Sequence, residues 1–144
     1  MTRVLVDTQI FIEGHLTSHS PEAVVLTLLH RQKHKFTLLL SSQLQEQIQN
    51  VGKRVGGKDW SGTLINRLWH DFEVDFITLP HPLIPSNRYP HIPKEDLVIF
   101  LTALHGRANI MISENHEFVR RAAEAQNLFT CLKAAEFLAQ YNSQ

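Results

Sequence analysis

The sequence predicts an α/β fold of three layers, α/β/α, in which a five-stranded parallel sheet lies between helices. Short runs of leucine and β-branched residues alternate with longer stretches of helical periodicity along nearly the whole chain. The first run, residues 4–6, is apolar without interruption, as expected of a strand buried on both faces. The 144 residues suit one domain, so we expect residues 1–144 to form a single α/β domain.

Each element has its own pattern. The predicted strands are residues 4–6, 36–40, 74–79, 109–112 and 128–132. The predicted helices cover residues 21–33, a segment starting at Ser42, the apolar repeat between 60 and 72, and residues 94–105, 114–126 and 134–141. For the second of these helices, Ser42 is the expected N-cap and Gln45 the partner in a capping box.

The charge balance limits the possible partners. Fourteen basic residues match 14 acidic ones, which excludes a uniformly basic nucleic-acid binder. Residues 31–67 nevertheless hold seven basic and two acidic residues, a local balance of +5. No apolar run approaches the roughly 20 residues that span a bilayer, and Asp7 interrupts the N-terminal run too early for a signal peptide. We therefore expect a soluble, cytoplasmic protein with no membrane partner.

Polar residues follow the predicted strands at one edge of the sheet, where parallel sheets form their sites. Asp7 ends the first strand, and Glu46 lies early in the helix after the second. Asp96 begins the helix that leads into the fourth strand, while Asn115 and Glu117 follow that strand. Carboxylates gathered at one place repel each other unless a cation lies among them, and oxygen ligands suit Mg²⁺ or Mn²⁺. Such a site can activate water and stabilise charge on a phosphodiester.

Several short motifs occur in an order and spacing that resemble a known family. They are VLVDTQIFI at residues 4–12, SSQLQE at 41–46, Asp96 followed 17 positions later by Ser113, SENHEF at 113–118 and AEFL at 135–138. On these motifs the sequence resembles PIN-domain proteins, a family of metal-dependent ribonucleases that includes VapC-like toxins of bacterial toxin–antitoxin pairs. The resemblance implies a PIN-like fold with five parallel strands, a homodimer, an RNA substrate and, for a toxin, an antitoxin partner.

The same resemblance implies roles for individual residues. Asp7, Glu46 and Asp96 would bind one or two Mg²⁺ or Mn²⁺ ions, and Ser113 would help to shape the site. Thr8 and Gln9 match the segment after the first acid, with Gln9 in place of the usual Asn. A second departure is that Asn115 replaces the fourth acid of many members, a role that Glu117 could fill.

These departures leave two hypotheses of different classes. The first is an endoribonuclease that cleaves single-stranded RNA with Mg²⁺ or Mn²⁺, using Asp7, Glu46, Asp96 and either Asn115 or Glu117 as catalytic residues. The alternative is a catalytically degenerate module of the same fold that binds RNA or a protein. Calorimetry with Mn²⁺ separates the two.

Two further segments are candidates for RNA contact. Residues 52–59 nearly match a phosphate-binding loop, but Asp59 replaces the Ser or Thr that the motif needs, and a helix rather than a strand precedes it. We interpret this segment as a basic, flexible connector whose Lys53, Arg54 and Lys58 contact RNA phosphates. In the proline-rich loop of residues 80–93, Tyr89 could stack on a base and Arg88 could meet a phosphate, or the loop could be a stiff surface connector.

Overall fold

Five short parallel strands form the centre of the fold. The structure, a computed structural model, describes residues 1–80 and 88–142. The strands are β1 Thr2–Val6, β2 Phe36–Ser41, β3 Val74–Ile77, β4 Ile110–Ile112 and β5 Thr130–Leu132. They pair in the order β3-β2-β1-β4-β5, with every pairing parallel. This confirms the predicted α/β class and the five-stranded parallel sheet.

Seven α-helices accompany the sheet in the described residues. They are α1 Thr8–Leu16, α2 Pro21–Arg31, α3 Ser42–Gly56, α4 Lys58–Asp71, α5 Leu97–His105, α6 His116–Ala125 and α7 Ala134–Tyr141. A 3₁₀ turn at Lys94–Asp96 leads directly into α5, where the sequence predicted one helix over residues 94–105. None of the helices described is both long and apolar enough to cross a membrane.

Helix α1 was not predicted. Its residues Ile10, Phe11 and Ile12 are consecutive and all buried, so the polar face is narrow and marks the helical repeat only weakly. Phe11 meets the ring of Phe72 edge to face, with ring centroids 6.1 Å apart. The apolar run that continues past Asp7 therefore belongs to a strand and a buried helix that begins immediately after it.

The start of α3 corrects the predicted capping box. The N-cap is Ser41 rather than Ser42, and its side chain accepts a hydrogen bond from the backbone N–H of Leu44 at 3.2 Å. Gln45 does not take part in a capping box, because its Oε1 accepts a hydrogen bond from Nε1 of Trp69 at 3.0 Å. That bond links α3 to α4 instead.

The prediction of a flexible connector at residues 52–59 is also wrong. Residues 52–56 form the last turns of α3, and α4 begins at Lys58. Only Gly57 separates the two helices, with a φ of 91° that a side chain would strain. The basic residues of this segment are therefore held on helices.

Sheet register places the first and fourth strands so that their ends meet. Val6 of β1 pairs with Ile112 of β4, so the next residues, Asp7 and Ser113, lie side by side at the carboxyl edge. The Asp7 backbone N–H donates to the Ile112 carbonyl at 2.9 Å and keeps this register to the end of the strand. Some predicted boundaries are too long: β3 ends at Ile77, and α6 begins only at His116.

Candidate functional site

Asp7 is a buried carboxylate held by a serine from the neighbouring strand. Its side chain accepts a hydrogen bond from Oγ of Ser113 at 2.6 Å, and both residues are inaccessible or nearly so. Burial raises the pKa of Asp7, while the Ser113 bond and the backbone N–H groups of Thr8 and Gln9 favour its charged form. Ser113 Oγ also accepts the backbone N–H of Asn115 at 3.1 Å. This hydroxyl thus fixes both Asp7 and the turn that follows β4.

Asp96 is the second buried carboxylate of the site. It is 8% exposed and lies at the junction between the 3₁₀ turn and α5, where its side chain makes no capping hydrogen bond. Burial, and then the charges of Asp7 and Glu95, raise the pKa of Asp96 to about 6. Asp96 and Asp7 line the same cavity, which accounts for the contribution of the Asp7 charge.

One cavity of about 520 Å³ contains both acids. Among its lining residues, six were predicted to belong to the site: Asp7, Thr8, Gln9, Arg54, Asp96 and Asn115. Four were not: Gln47, Val51, Glu95 and Glu114. We call this space the acid cavity.

The two buried acids are not ion-paired within the described residues. Neither Asp7 nor Asp96 belongs to any of the ion pairs found in residues 1–80 and 88–142. Thr8, which also lines the acid cavity, has a buried Oγ1 without a hydrogen-bond partner among these residues. Buried charges and hydroxyls normally have partners, so the two acids and the Thr8 hydroxyl fit a site that binds a cation.

The donor set fits a magnesium-type ion. Mg²⁺ commonly takes one or two protein carboxylates and fills its other positions with water and substrate phosphate. Asp7 and Asp96 supply two buried carboxylates, and the other oxygen-bearing side chains that line the cavity are those of Thr8, Gln9, Gln47, Glu95, Glu114 and Asn115. No group of three or more His, Cys, Asp or Glu side chains that could hold a metal is found in the part of the chain that the structure describes. The site therefore fits a metal ion that keeps several of its water ligands when it binds.

The structure does not bring Glu46 into the acid cavity. Glu46 is exposed and lines an adjoining groove of about 680 Å³, which we call the α3 groove. The α3 residues that line the acid cavity are Gln47, Val51 and Arg54, and all three also line the groove. Adjacent helical positions differ by about 100° in direction, so Gln47 reaches both spaces while Glu46 lines the groove alone.

The two candidates after β4 also differ in position. Asn115 lines the acid cavity and caps α6, since its Oδ1 accepts the backbone N–H of Phe118 at 3.2 Å. Glu117 is exposed, does not line that cavity, and pairs with Arg120 at 2.8 Å and with Arg121 at 3.2 Å. These arginines lower the pKa of Glu117. Of the two, only Asn115 is placed beside Asp7 and Asp96.

The predicted RNA-contacting residues are distributed over three regions. Arg54 lines both the acid cavity and the α3 groove, and Lys53 lines the groove alone. Lys58 is exposed at the start of α4, and Arg88 is also exposed. Tyr89 is half-buried and packs its ring against Phe100, with centroids 5.0 Å apart. The rest of the predicted loop contact, residues 81–87, lies outside the described residues.

Sequence reasoning missed two acids of the cavity rim. Glu95 precedes Asp96, and its charge contributes to the raised pKa of that residue. Glu114 follows Ser113, and its Oε1 accepts the backbone N–H of Ala134 at 2.6 Å, which ties the site to the start of α7. Glu95 is next to Asp96 and Glu114 is next to Ser113 in the sequence. Their positions beside two candidate site residues could have identified them.

Comparisons with known proteins concern the fold and the family rather than the individual site residues. A family model described as PIN domain matches residues 3–117. VapBC2 from Rickettsia felis, in a crystal structure bound to a DNA fragment from their promoter, is similar in fold: the TM-score is 0.62 at 15% identity, over 92% of this chain and 98% of that one. PAE2754 from Pyrobaculum aerophilum gives a TM-score of 0.58 at 12% identity, over 99% of this chain and 91% of that one. No curated protein matches the sequence.

Proposed function

This chain belongs to the PIN-domain family, and from that premise we propose that it is an endoribonuclease that cleaves single-stranded RNA with Mg²⁺ or Mn²⁺. The observation that supports this best is the pair Asp7 and Asp96, two buried carboxylates in one cavity with no ion-pair partner among the described residues. A fold retains such a pair when a cation compensates it.

In this proposal Asp7 and Asp96 hold the divalent ion, which when bound lowers the pKa of water and stabilises charge on a phosphodiester. Ser113 keeps the Asp7 carboxylate oriented through its 2.6 Å hydrogen bond. Asn115 fixes the backbone beside the acids by capping α6. Each of these groups is held by the strand ends or helix starts, so the site is preorganised.

Arg54 is the proposed phosphate-binding residue. It lines the acid cavity and forms no ion pair with a described residue, so its guanidinium is available to a substrate. A guanidinium binds phosphate through paired hydrogen bonds and keeps its charge at any working pH. Positive charge beside the acids lets a polyanionic strand approach a site that would otherwise repel it.

The testing experiment is cleavage of a fluorescently labelled, unstructured RNA, with a DNA of the same sequence alongside. We expect cleavage of the RNA with Mn²⁺ or Mg²⁺, none with chelator, and a loss of at least 100-fold in rate for Asp7→Asn and Asp96→Asn. Asp59→Asn, an exposed acid in the first turn of α4, is the matched control and should cleave as wild type does. Cleavage that survives both cavity substitutions would refute the assignment.

A second candidate is a module of the same fold that binds RNA or a protein without cleaving. It is favoured by two residues of the acid cavity: Asn115, which replaces the fourth acid of many family members, and Gln9, which replaces the usual Asn. Mn²⁺ titration separates the candidates: absence of millimolar or tighter binding supports the binding module.

The partner proposals follow from the family. We propose that the chain is the toxin of a cytoplasmic toxin–antitoxin pair and that it forms a homodimer. Light scattering of the purified chain gives the oligomeric state, and co-purification with the product of an adjacent gene tests for an antitoxin. A monomer in light scattering would contradict the homodimer proposal. A chain that co-purifies with no such gene product would contradict the antitoxin proposal.

A further inference from the structure

The α3 groove lies directly beside the acid cavity. Gln47, Val51 and Arg54 line both spaces, so the two are continuous along one helix. The residues that line the groove alone are Gln43, Glu46, Asn50, Lys53 and Val98. At about 680 Å³ the groove is the larger of the two spaces, and the proposed cleavage chemistry does not use it.

The α3 residues of the groove follow a helical repeat. Gln43, Glu46, Asn50 and Lys53 occupy positions i, i+3, i+7 and i+10 of one helix. Together with Arg54 they span about 16 Å along the axis, at 1.5 Å per residue. The polar groups therefore form a continuous stripe that leads to the acids.

The hydrogen-bonding groups of this stripe are largely unused. Asn50 makes no side-chain hydrogen bond among the described residues, and Gln43 uses only its Oε1, which accepts from Ser42 Oγ at 3.1 Å. Val51 and Val98 are half-buried apolar residues in the same groove. An occupant would thus meet apolar surface together with amide donors and acceptors.

We propose that the α3 groove is a base-recognition subsite, which binds nucleotides next to the scissile phosphate of a single-stranded RNA. This inference rests on the proposed nuclease function. Amide side chains pair with base edges, and unpaired bases present those edges together with a flat face that suits apolar contact. Lys53 and Arg54 supply the positive charge that a phosphate backbone requires.

The test is a selection experiment read by sequencing. An RNA pool with a randomised centre is bound to the wild-type chain in Ca²⁺ and, separately, is cleaved in Mn²⁺. The wild type should show a nucleotide preference, and Gln43→Leu combined with Asn50→Leu should reduce it by about tenfold or more. Gln49→Leu, an amide on α3 that lines neither space, is the matched control and should keep the wild-type preference.

The outcomes separate this inference from the nuclease proposal. If no RNA is cleaved but the bound pool shows a preference that the double substitution removes, the nuclease proposal fails and base recognition stands. If cleavage occurs and the double substitution leaves both preference and rate unchanged, base recognition is overturned, and the groove belongs to another occupant such as a protein segment. Equal melting temperatures for the variants and the wild type exclude misfolding as the cause.

Discussion

The hydroxyl of Ser113 donates a 2.6 Å hydrogen bond to Oδ2 of Asp7. The two residues are far apart in the sequence and adjacent in space because Val6 of β1 and Ile112 of β4 are register partners. Burial raises the pKa of Asp7, and the Ser113 bond opposes that effect by favouring the charged form of the carboxylate. A serine that closes one strand thereby orients the acid that closes its neighbour.

Replacing Ser113 by alanine should therefore weaken both stability and metal binding. Loss of a buried hydrogen bond to a charged group should lower the free energy of unfolding by about 1–3 kcal/mol. Mn²⁺ affinity should fall by about tenfold, because the carboxylate loses its orienting partner. Denaturant titration and calorimetry measure the two effects. Ser42→Ala, which removes an exposed serine at the start of α3, should change neither, and an unaltered Ser113→Ala protein would contradict the assignment.

The raised pKa of Asp96 makes the stability of the metal-free protein depend on pH. Its value of about 6 exceeds the ordinary 3.8, so the protonated form stabilises the folded state below pH 4, and this contribution is lost as pH rises through 6. Asp96→Asn removes the titration. The difference in unfolding free energy between variant and wild type should therefore grow by on the order of 2 kcal/mol from pH 4 to pH 7.5, in the variant's favour. Urea titrations in chelator check this, and a pH-independent difference would contradict it.

A divalent metal ion should stabilise the protein only when both Asp7 and Asp96 are present. A ligand at 100 times its Kd stabilises a folded protein by about 2.7 kcal/mol. Mn²⁺ should raise the melting temperature of the wild type and of Glu46→Gln, because Glu46 lies in the α3 groove. It should have little effect on Asp7→Asn or Asp96→Asn, which lack one of the two carboxylates. A response lost in Glu46→Gln would place Glu46 at the metal after all.

Asn115 offers a gain-of-affinity test. Aspartate caps helices as well as asparagine does, so Asn115→Asp should keep the bond to the Phe118 N–H and add a carboxylate to the acid cavity. We expect Mn²⁺ to bind several-fold more tightly, as measured by calorimetry. Glu117→Gln should leave Mn²⁺ binding unchanged, because that exposed side chain pairs with Arg120 and Arg121. The opposite pattern would assign the acid role to Glu117.

Most of the sheet was predictable because its strands are apolar runs between helical repeats. Helix α1 was not, since Ile10, Phe11 and Ile12 are all buried and leave only a weak amphipathic signal. The residues that close strands, Asp7 and Ser113, were correctly placed at the carboxyl edge, because strand ends in a parallel sheet have a fixed location.

Residues on helices were harder to place than those at strand ends. Glu46 and Gln47 differ by one position, but only the structure shows that Gln47 lines the acid cavity and Glu46 does not. The basic stretch around Gly57 contains enough glycine to resemble a loop, although neighbouring residues continue two packed helices. Helix rotation and helix continuity depend on tertiary packing, which a local sequence pattern does not contain.

The most direct test of the metal-centre proposal is a crystal of the wild-type chain soaked in Mn²⁺, with the ion located by its anomalous signal. The account predicts a peak in contact with the carboxylates of both Asp7 and Asp96, and none on Glu46. A cavity that holds no manganese at concentrations supporting RNA cleavage, or a peak bound by Glu46 without Asp7 and Asp96, would contradict it.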